Sequence, residues 1–450
     1  MFFRIITRRH RHSRKQALRS SVYLKHQMDK HLEDRISQLP DGILSHILSL
    51  LEIREARRSS ALSHRWRDLW KFTTNLNFDS SKTMWRLIVR EKDSKTVERE
   101  RSKYVALVNQ VLKFHLRPSL DKFRVRFCLG SSTSCDIDEW MNFVMSKRVK
   151  KLEIDLRPLS FETPYTPSQE CCLSFKSPSN LSSIKCLTSL SLMYLNLNGE
   201  LIEYFISNCP NLEQLLLEGL EQIVNLNISG PSLQLKHLEI LECRFLESVE
   251  FCAPKLVTFK YFGKPIRFMG SLPLLAELDI MHDDDDDDDA ICPLVPFSSY
   301  LSQIETLKLT MWLSEDYEEI PRIPELTNLK NLILDVTNLY CSKFPSFTYL
   351  VEAAPSLHKL TFKLFSPIRS TAILSSTLAP RPHECLKDVE IFGFCDQKLV
   401  MYLLQNAINL EKIICNPYRE RGESEEKEKA RKCACQLREK LPSGFKLIIL

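Results

Sequence analysis

A pattern of apolar residues at i, i+3 and i+5 recurs eleven times between Val149 and Cys415, and it constrains the fold of this 450-residue chain more than any other feature. The copies are Val149/Leu152/Ile154, Leu187/Leu190/Leu192, Leu212/Leu215/Leu217, Leu235/Leu238/Ile240, Leu256/Phe259/Tyr261 and Leu275/Leu278/Ile280. They continue as Ile304/Leu307/Leu309, Leu329/Leu332/Leu334, Leu357/Leu360/Phe362, Leu386/Val389/Ile391 and Leu410/Ile413/Cys415, with most starts 19 to 29 residues apart. Successive side chains of a strand point to opposite faces, so the i+3 and i+5 residues share one face and the i residue turns in from the preceding loop. One unit cannot bury that face alone. Stacked units bury it continuously in a curved parallel sheet.

A period in this range is that of leucine-rich repeats. The asparagine or cysteine expected at i+8 is met only by Cys243, and weaker copies at Ile223/Leu226/Ile228 and Leu246/Val249/Phe251 halve the period locally. The expected fold is therefore α/β, with an irregular solenoid over residues 149–383 and short, loop-like convex segments between residues 212 and 261. The strand positions facing the other way would form a concave surface, and Ser191, Met193, Leu216, Glu239, Asp279, Lys308, Asp335 and Lys363 on it are candidate target contacts. That face mixes apolar and charged groups without a basic stripe or an aromatic series. It fits a protein or small-molecule partner better than nucleic acid.

A second organising stretch, residues 34–70, reads as three short helices. Pro40 stands where a helix can begin, since its missing N–H is not needed in a first turn. Ile43, Leu44, Ile47, Leu48 and Leu51 follow on a helical period. A second segment spans about 54–62, and Ser63 offers an N-cap to a third turn carrying Trp66, Leu69 and Trp70. About 40 residues rarely stand alone without staples. The leftover apolar surface points either to a partner or to a role as a cap on the following domain.

Asp34-Arg35-Ile36, Leu39-Pro40-Asp41, Ile47-Leu48-Ser49-Leu50-Leu51 and Leu62-Ser63-x-Arg65-Trp66-x-x-Leu69-Trp70 resemble the F-box of plant F-box proteins. The resemblance implies an F-box over 31–75 that docks a Skp-type adaptor and, through it, a cullin of a ubiquitin ligase. Leu39, Pro40, Ile43, Leu44, Ile47, Leu48, Leu62, Trp66 and Leu69 would form or support the adaptor-facing surface. Glu52 stands where such boxes usually have proline, and Arg57 and Ala61 where they usually have valine. The implied function is that of a substrate receptor of a Skp-cullin-F-box ligase; the alternative is a protein-binding scaffold with a weakened F-box. At the other end, ECLKDVEIFGF and LLQNAINLEKI within 384–450 resemble the FBD region of plant F-box/leucine-rich-repeat proteins, here expected to cap the solenoid.

The remaining stretches carry less. Residues 1–30 hold nine Lys or Arg against one Asp, which leaves the rest of this +5 chain slightly acidic. They read as a disordered basic tail, a nuclear localisation patch or a transit peptide. Residues 76–148 read as a connector: a helix with Tyr104, Val105, Val108, Val111, Leu112 and His115, a strand with Phe123, Val125 and Phe127, and a helix capped by Asp136. The seven aspartates at 283–289 repel one another and read as a solvated loop. A charged helix with Ala430, Ala434, Leu437 and Leu441 precedes a last strand at 445–450. Fifteen cysteines without paired spacing, and no secretory signal, imply thiols in the nucleus or cytoplasm. No apolar run suggests a membrane span. No histidine spacing or glycine loop announces a metal, cofactor or catalytic site. The chain reads as non-catalytic, and its working parts as surfaces.

Overall fold

In the computed structural model, residues 36, 38–90, 93–159, 184–230, 232–282, 294–312, 325–337, 350–364, 382–393, 397–417, 431–432, 434–435 and 446–450 are described. The basic tail, the aspartate run and most of the charged C-terminal helix lie outside them. Two compact units result. One comprises the described residues up to Thr74 together with His115–Arg117, the other Asn75–Phe114 and Pro118–Leu450.

The first unit begins with the helix Asp41–Ser49, whose N-cap is Pro40. The Pro40 carbonyl accepts from the Ile43 and Leu44 N–H groups at 2.9 and 3.1 Å. Residues one apart on a helix sit about 100° apart, so the apolar stripe read from the sequence splits in two. Leu44 and Leu48 are buried, while Pro40 and Ile43 are exposed and Ile47 is half-buried. The buried Ser49 on this helix is satisfied: its hydroxyl donates to the Ser45 carbonyl at 2.7 Å and accepts from the Thr74 N–H at 2.8 Å. The helix Ile53–Arg58 follows, burying Ile53 and Ala56. The expected third helix is not an α-helix. Residues 64–68 form turns, with the Trp66 N–H on the Ser63 carbonyl at 3.2 Å, and Leu69–Phe72 closes as a 3₁₀ turn. His115, read as part of a helix, instead belongs to this unit, with Nε2 2.9 Å from the Thr73 carbonyl.

The second unit carries seventeen strands among the described residues: β1 (Asn75–Asp79), β2 (Ser119–Arg126), β3 (Arg148–Asp155), β4 (Ser189–Met193), β5 (Gln214–Glu218), β6 (Asn225–Ser229), β7 (His237–Leu241), β8 (Ser248–Cys252) and β9 (Thr258–Gly263), then β10 (Arg267–Ser271), β11 (Glu277–His282), β12 (Thr306–Trp312), β13 (Asn331–Thr337), β14 (Lys359–Leu364), β15 (Asp388–Gly393), β16 (Lys412–Asn416) and β17 (Lys446–Ile449). Fourteen of them form one parallel sheet in the order β1-β2-β3-β4-β5-β7-β9-β11-β12-β13-β14-β15-β16-β17. Each of the eleven repeat copies supplies one of these strands, and every i+3 and i+5 residue is buried. The FBD-like segment continues the same sheet as β15 to β17. Its helix Gln397–Asn406 buries Leu399, Val400 and Leu403, while Ile408, two residues past its end, is exposed.

The sheet also takes in two strands from the stretch read as a connector. β1 pairs with β2, and β2 with β3. The helix Ser94–Phe114 covers this end, burying Tyr104, Val108 and Val111. The Tyr104 hydroxyl donates to the Phe78 carbonyl at 2.6 Å. Asp136 is not a cap. It lies in the first turn of the helix Ser134–Ser146, N-capped by Thr133, and accepts from Asn109 Nδ2 at 2.7 Å.

The convex segments between 212 and 261 are not loop-like. The two period-halving copies are β6 and β8, which pair in parallel with each other, and β10 adds to β8. Behind them Phe251, Phe259, Phe268 and Phe297 pack ring on ring, with Phe268 and Phe297 centroids 4.4 Å apart. These large rings fill a wider interior than leucines would, and a second sheet closes over it.

Candidate functional site

Two surfaces carry the residues singled out by sequence, one on each unit. On the first, Pro40, Ile43, Ile47 and Leu50 recur at steps of three and four on the outer face of the helix Asp41–Ser49 and its end. Ile43 is 49% exposed and Leu50 72%. Leu62 is 69% exposed, Leu39 is half-buried, and Ile36 and Leu51 also show apolar surface. Leu44, Leu48, Trp66 and Leu69 are buried inside the unit and support that face without belonging to it.

Arg65 explains why the Leu-Pro-Asp and Arg-Trp stretches occur together. Its Nε donates to Asp41 Oδ1 at 2.8 Å, and its Nη2 donates to the Leu39 carbonyl. One guanidinium thus fixes the chain entering the first helix to the segment carrying Trp66. Arg57 is occupied in a different way: its guanidinium sits 5.4 Å from the Trp70 ring centroid, a cation–π contact.

On the second unit the outward residues of the sheet align in register as rows. The middle row runs Arg124, Glu153, Ser191, Leu216, Glu239, Lys260, Asp279, Lys308 and Ile333 over β2 to β13. The next row towards the strand ends runs Arg126, Asp155, Met193, Glu218, Leu241, Phe262, Met281, Thr310, Asp335 and Lys363. Opposite charges pair across adjacent strands: Arg124 with Glu153 at 2.7 Å, Lys260 with Glu239 at 3.7 Å, Lys308 with Asp279 at 3.0 Å and Lys363 with Asp335 at 3.7 Å. A concavity of about 450 Å³ lies over the middle of this face, lined among others by Ser191, Leu216, Glu239, Lys260, Asp279 and Lys308. Of the eight candidate target contacts, seven are half-exposed here. Met193 stands in the row towards the strand ends but is buried there.

A polar cluster bordering this face was not read from the sequence. Tyr194 and Glu242, with positive φ of 55° and 53°, directly follow β4 and β7, and Gly219, φ 62°, follows β5. Each turns the chain while keeping its N–H on the next strand: Tyr194 on the Glu218 carbonyl, Gly219 on that of Leu241 and Glu242 on that of Phe262, at 2.8, 2.9 and 2.8 Å. The Tyr194 hydroxyl donates to Glu242, and Arg157 pairs with Glu218 at 2.7 Å while covering the tyrosine ring. Burial pushes the Glu218 carboxyl above the usual carboxylate range, outweighing the pull of Arg157. At the N-terminal strands the balance is reversed. Burial raises Asp79, but hydrogen bonds from Ser81 and the charges of Arg124 and Arg126 outweigh it, and its pKa is lowered.

The profile of the At1g61320/AtMIF1 LRR domain matches residues 111–447, three quarters of the chain. The chain belongs to this leucine-rich-repeat family. An F-box domain profile matches residues 36–75 of this F-box/leucine-rich-repeat protein. It is 25% identical over 424 residues to the FBD-associated F-box protein At1g66310 of Arabidopsis thaliana, covering 85% of this chain and 90% of that one. It is 28% identical over 427 residues to the F-box/FBD/LRR-repeat protein At1g13570 of the same plant, covering 80% and 95%. With the F-box/LRR-repeat protein At3g03360, also of Arabidopsis thaliana, it shares 31% identity over 290 residues, 60% of this chain and 55% of that one. Among the described residues no group of His, Cys, Asp or Glu is arranged to hold a metal ion, and no helix is long and apolar enough to cross a membrane.

Proposed function

We propose that this chain is the substrate-recognition subunit of a Skp-cullin-F-box ubiquitin ligase. Its F-box docks a Skp-type adaptor through Leu39, Pro40, Ile43, Ile47 and Leu62, with Leu44, Leu48, Trp66 and Leu69 holding those residues in place. The concave face of the repeats holds a target protein. The observation that carries this reading is the apolar row Pro40, Ile43, Ile47 and Leu50, left uncovered on a unit whose interior is already filled. A surface of that kind marks an interaction site. Catalysis would be by proximity: holding target and conjugating enzyme on one assembly replaces a bimolecular encounter with an intramolecular one. This chain would supply neither nucleophile nor base. Such a receptor works in the nucleus or cytoplasm, where cysteines without paired spacing remain thiols.

The test is co-purification with a plant Skp-type adaptor. The wild-type chain should retain the adaptor and the double variant Leu39→Ala/Pro40→Ala should lose it, both keeping the same melting temperature. Retention by the variant at the wild-type level would sink the docking face. Failure of the wild-type chain to bind any such adaptor would favour the alternative, a protein-binding scaffold outside a ligase. Arg57 speaks against that alternative, because the side chain that replaces the usual valine is folded onto Trp70.

A further inference from the structure

Holding a target on the concave face leaves open which part of that face grips and what chemistry it selects. The charges of the face are already answered from within. Along β7 to β12 the middle row reads Glu239, Lys260, Asp279, Lys308, alternating in sign, and its members pair across neighbouring strands at 3.7 and 3.0 Å. A strongly charged segment laid over this ladder gains from one sign what it loses to the other, and must break existing pairs to gain more. Electrostatic complementarity therefore favours an uncharged occupant.

The adjoining row supplies what such an occupant would need. Leu241, Phe262 and Met281 stand side by side on β7, β9 and β11, all half-exposed. Neighbouring strands are about 4.8 Å apart, so the three form a ridge of about 10 Å, the reach of an extended segment of three or so residues. The ridge is closed at one end by the Arg157–Glu218–Tyr194–Glu242 cluster, whose side chains are engaged with one another. At the other end, in register with Met281, stands Thr310. Its hydroxyl is buried with no hydrogen-bond partner among the described residues, as is Oδ1 of Asp279, two residues before Met281 on the same strand. Buried polar atoms are nearly always satisfied. An unpartnered hydroxyl at the end of the ridge and an unpartnered carboxylate oxygen in the row beside it can both accept from one donor brought by the occupant.

We propose that this strip is the target's anchoring subsite, and that it takes an extended, uncharged peptide segment whose bulky apolar side chain lies along Leu241, Phe262 and Met281 and whose hydrogen-bond donor meets Thr310 and Asp279. The inference rests on the receptor reading above. Methionine and aromatic side chains suit it, since they adapt to varied apolar partners.

The probe is a displayed library of random linear peptides, selected on the full-length chain. The selected peptides should share one large apolar position and lack a charge consensus. Their affinity should fall at least about tenfold, or about 1.4 kcal/mol, on Phe262→Glu or Met281→Glu. It should fall several-fold on Thr310→Val, and change little on Ile414→Glu, an outward residue of β16 far along the same sheet. Because the charges are internally paired, affinity should hardly differ between low and high salt. Peptides enriched in one sign of charge, steep loss with salt, or undiminished binding to Phe262→Glu would each overturn the proposal, as would failure to select any peptide. Undiminished binding to Thr310→Val would remove the donor half of it. Adaptor co-purification, measured on the same preparations, reports separately on the receptor reading: its loss with intact peptide selection would fault the ligase assignment and leave the subsite standing.

Discussion

In the N-terminal unit a handful of side chains, Leu44, Leu48, Ile53, Ala56, Trp66, Leu69 and Trp70, makes up the apolar interior among the described residues. In the sheet unit two buried inward positions per strand are repeated across thirteen of the fourteen strands, β1 to β16 of the main sheet. The first interior is small enough that the loss of one member leaves few others to compensate. The second is nearly one-dimensional, so that each strand's core leans only on its neighbours. The contrast teaches where damage should spread and where it should stay local. It also shows why a unit with so little interior still exposes Ile43, Leu50 and Leu62: it has nothing left with which to cover them.

The largest effect should come from the smaller interior. Trp66→Ala deletes a buried indole at a cost of about 3–5 kcal/mol, comparable to all the stability a unit of this size can hold. Limited proteolysis should then cut within residues 38–74 while the sheet unit keeps its own melting transition. Wild-type protease resistance would show that the indole is not central. In the sheet, Leu334→Ala also removes a fully buried side chain, costing about 2–5 kcal/mol, but the loss should stay near β13. Hydrogen exchange should quicken in β12, β13 and β14 and be unchanged in β3 and β4. Uniform acceleration along the whole sheet would break the comparison outright.

A smaller loss is expected at the end of β15. Gly393 has φ 85°, and a Cβ there would lie 2.1 Å from the Leu364 carbonyl oxygen, a backbone atom that cannot swing aside. Gly393→Ala should cost about 1–3 kcal/mol by thermal melting; a variant as stable as wild type would mean the strand end relaxes freely. The smallest effect concerns pH. Glu218 has a raised pKa in the fold, so the native chain holds its proton to higher pH than the unfolded chain does. By linkage this group costs stability above its folded pKa, and the cost is relieved as pH falls through that value. Glu218→Gln should therefore compare best with wild type at neutral pH, and its relative standing should decline as the solution is acidified into the ordinary carboxylate range. A pH-independent difference in melting temperature would show that Glu218 ionises normally in the fold.

The sheet was legible in sequence because burial of one face of a short strand demands apolar residues at the same two positions each time, and Leu190/Leu192 or Leu332/Leu334 announce it without help. β10 was not legible, since Phe268 alone among its residues faces the aromatic interior while Arg267, Met269, Gly270 and Ser271 are exposed. β6 and β8 were visible as repeats and misread as loops, because a half-period gives no clue that the extra strands pair with each other behind the main sheet. Nor could the Tyr194 cluster be found, as it needs three strand ends side by side and two non-glycine residues in a left-handed conformation. In the F-box the helical stripe was visible. Its division into an inner Leu44/Leu48 face and an outer Ile43/Ile47 face required knowing which side the interior lay on, and the link from Arg65 to Asp41 spans 24 positions.

The registered rows of the concave face have a consequence for how such a protein changes over time. The bonds that hold the strands together run through the backbone, so an outward residue such as Leu241 or Phe262 is a tile that can be exchanged without disturbing its neighbours. The paired charges are tiles of a different sort. Lys308 and Asp279 are joined across the strand boundary, and an exchange at one obliges a matching exchange at the other. As far as the fold is concerned, a lineage descending from this chain could change its apolar tiles singly, and so shift the apolar residue it grips, but would have to move its ionic tiles in twos, leaving covarying pairs in its sequences wherever the face has been held neutral.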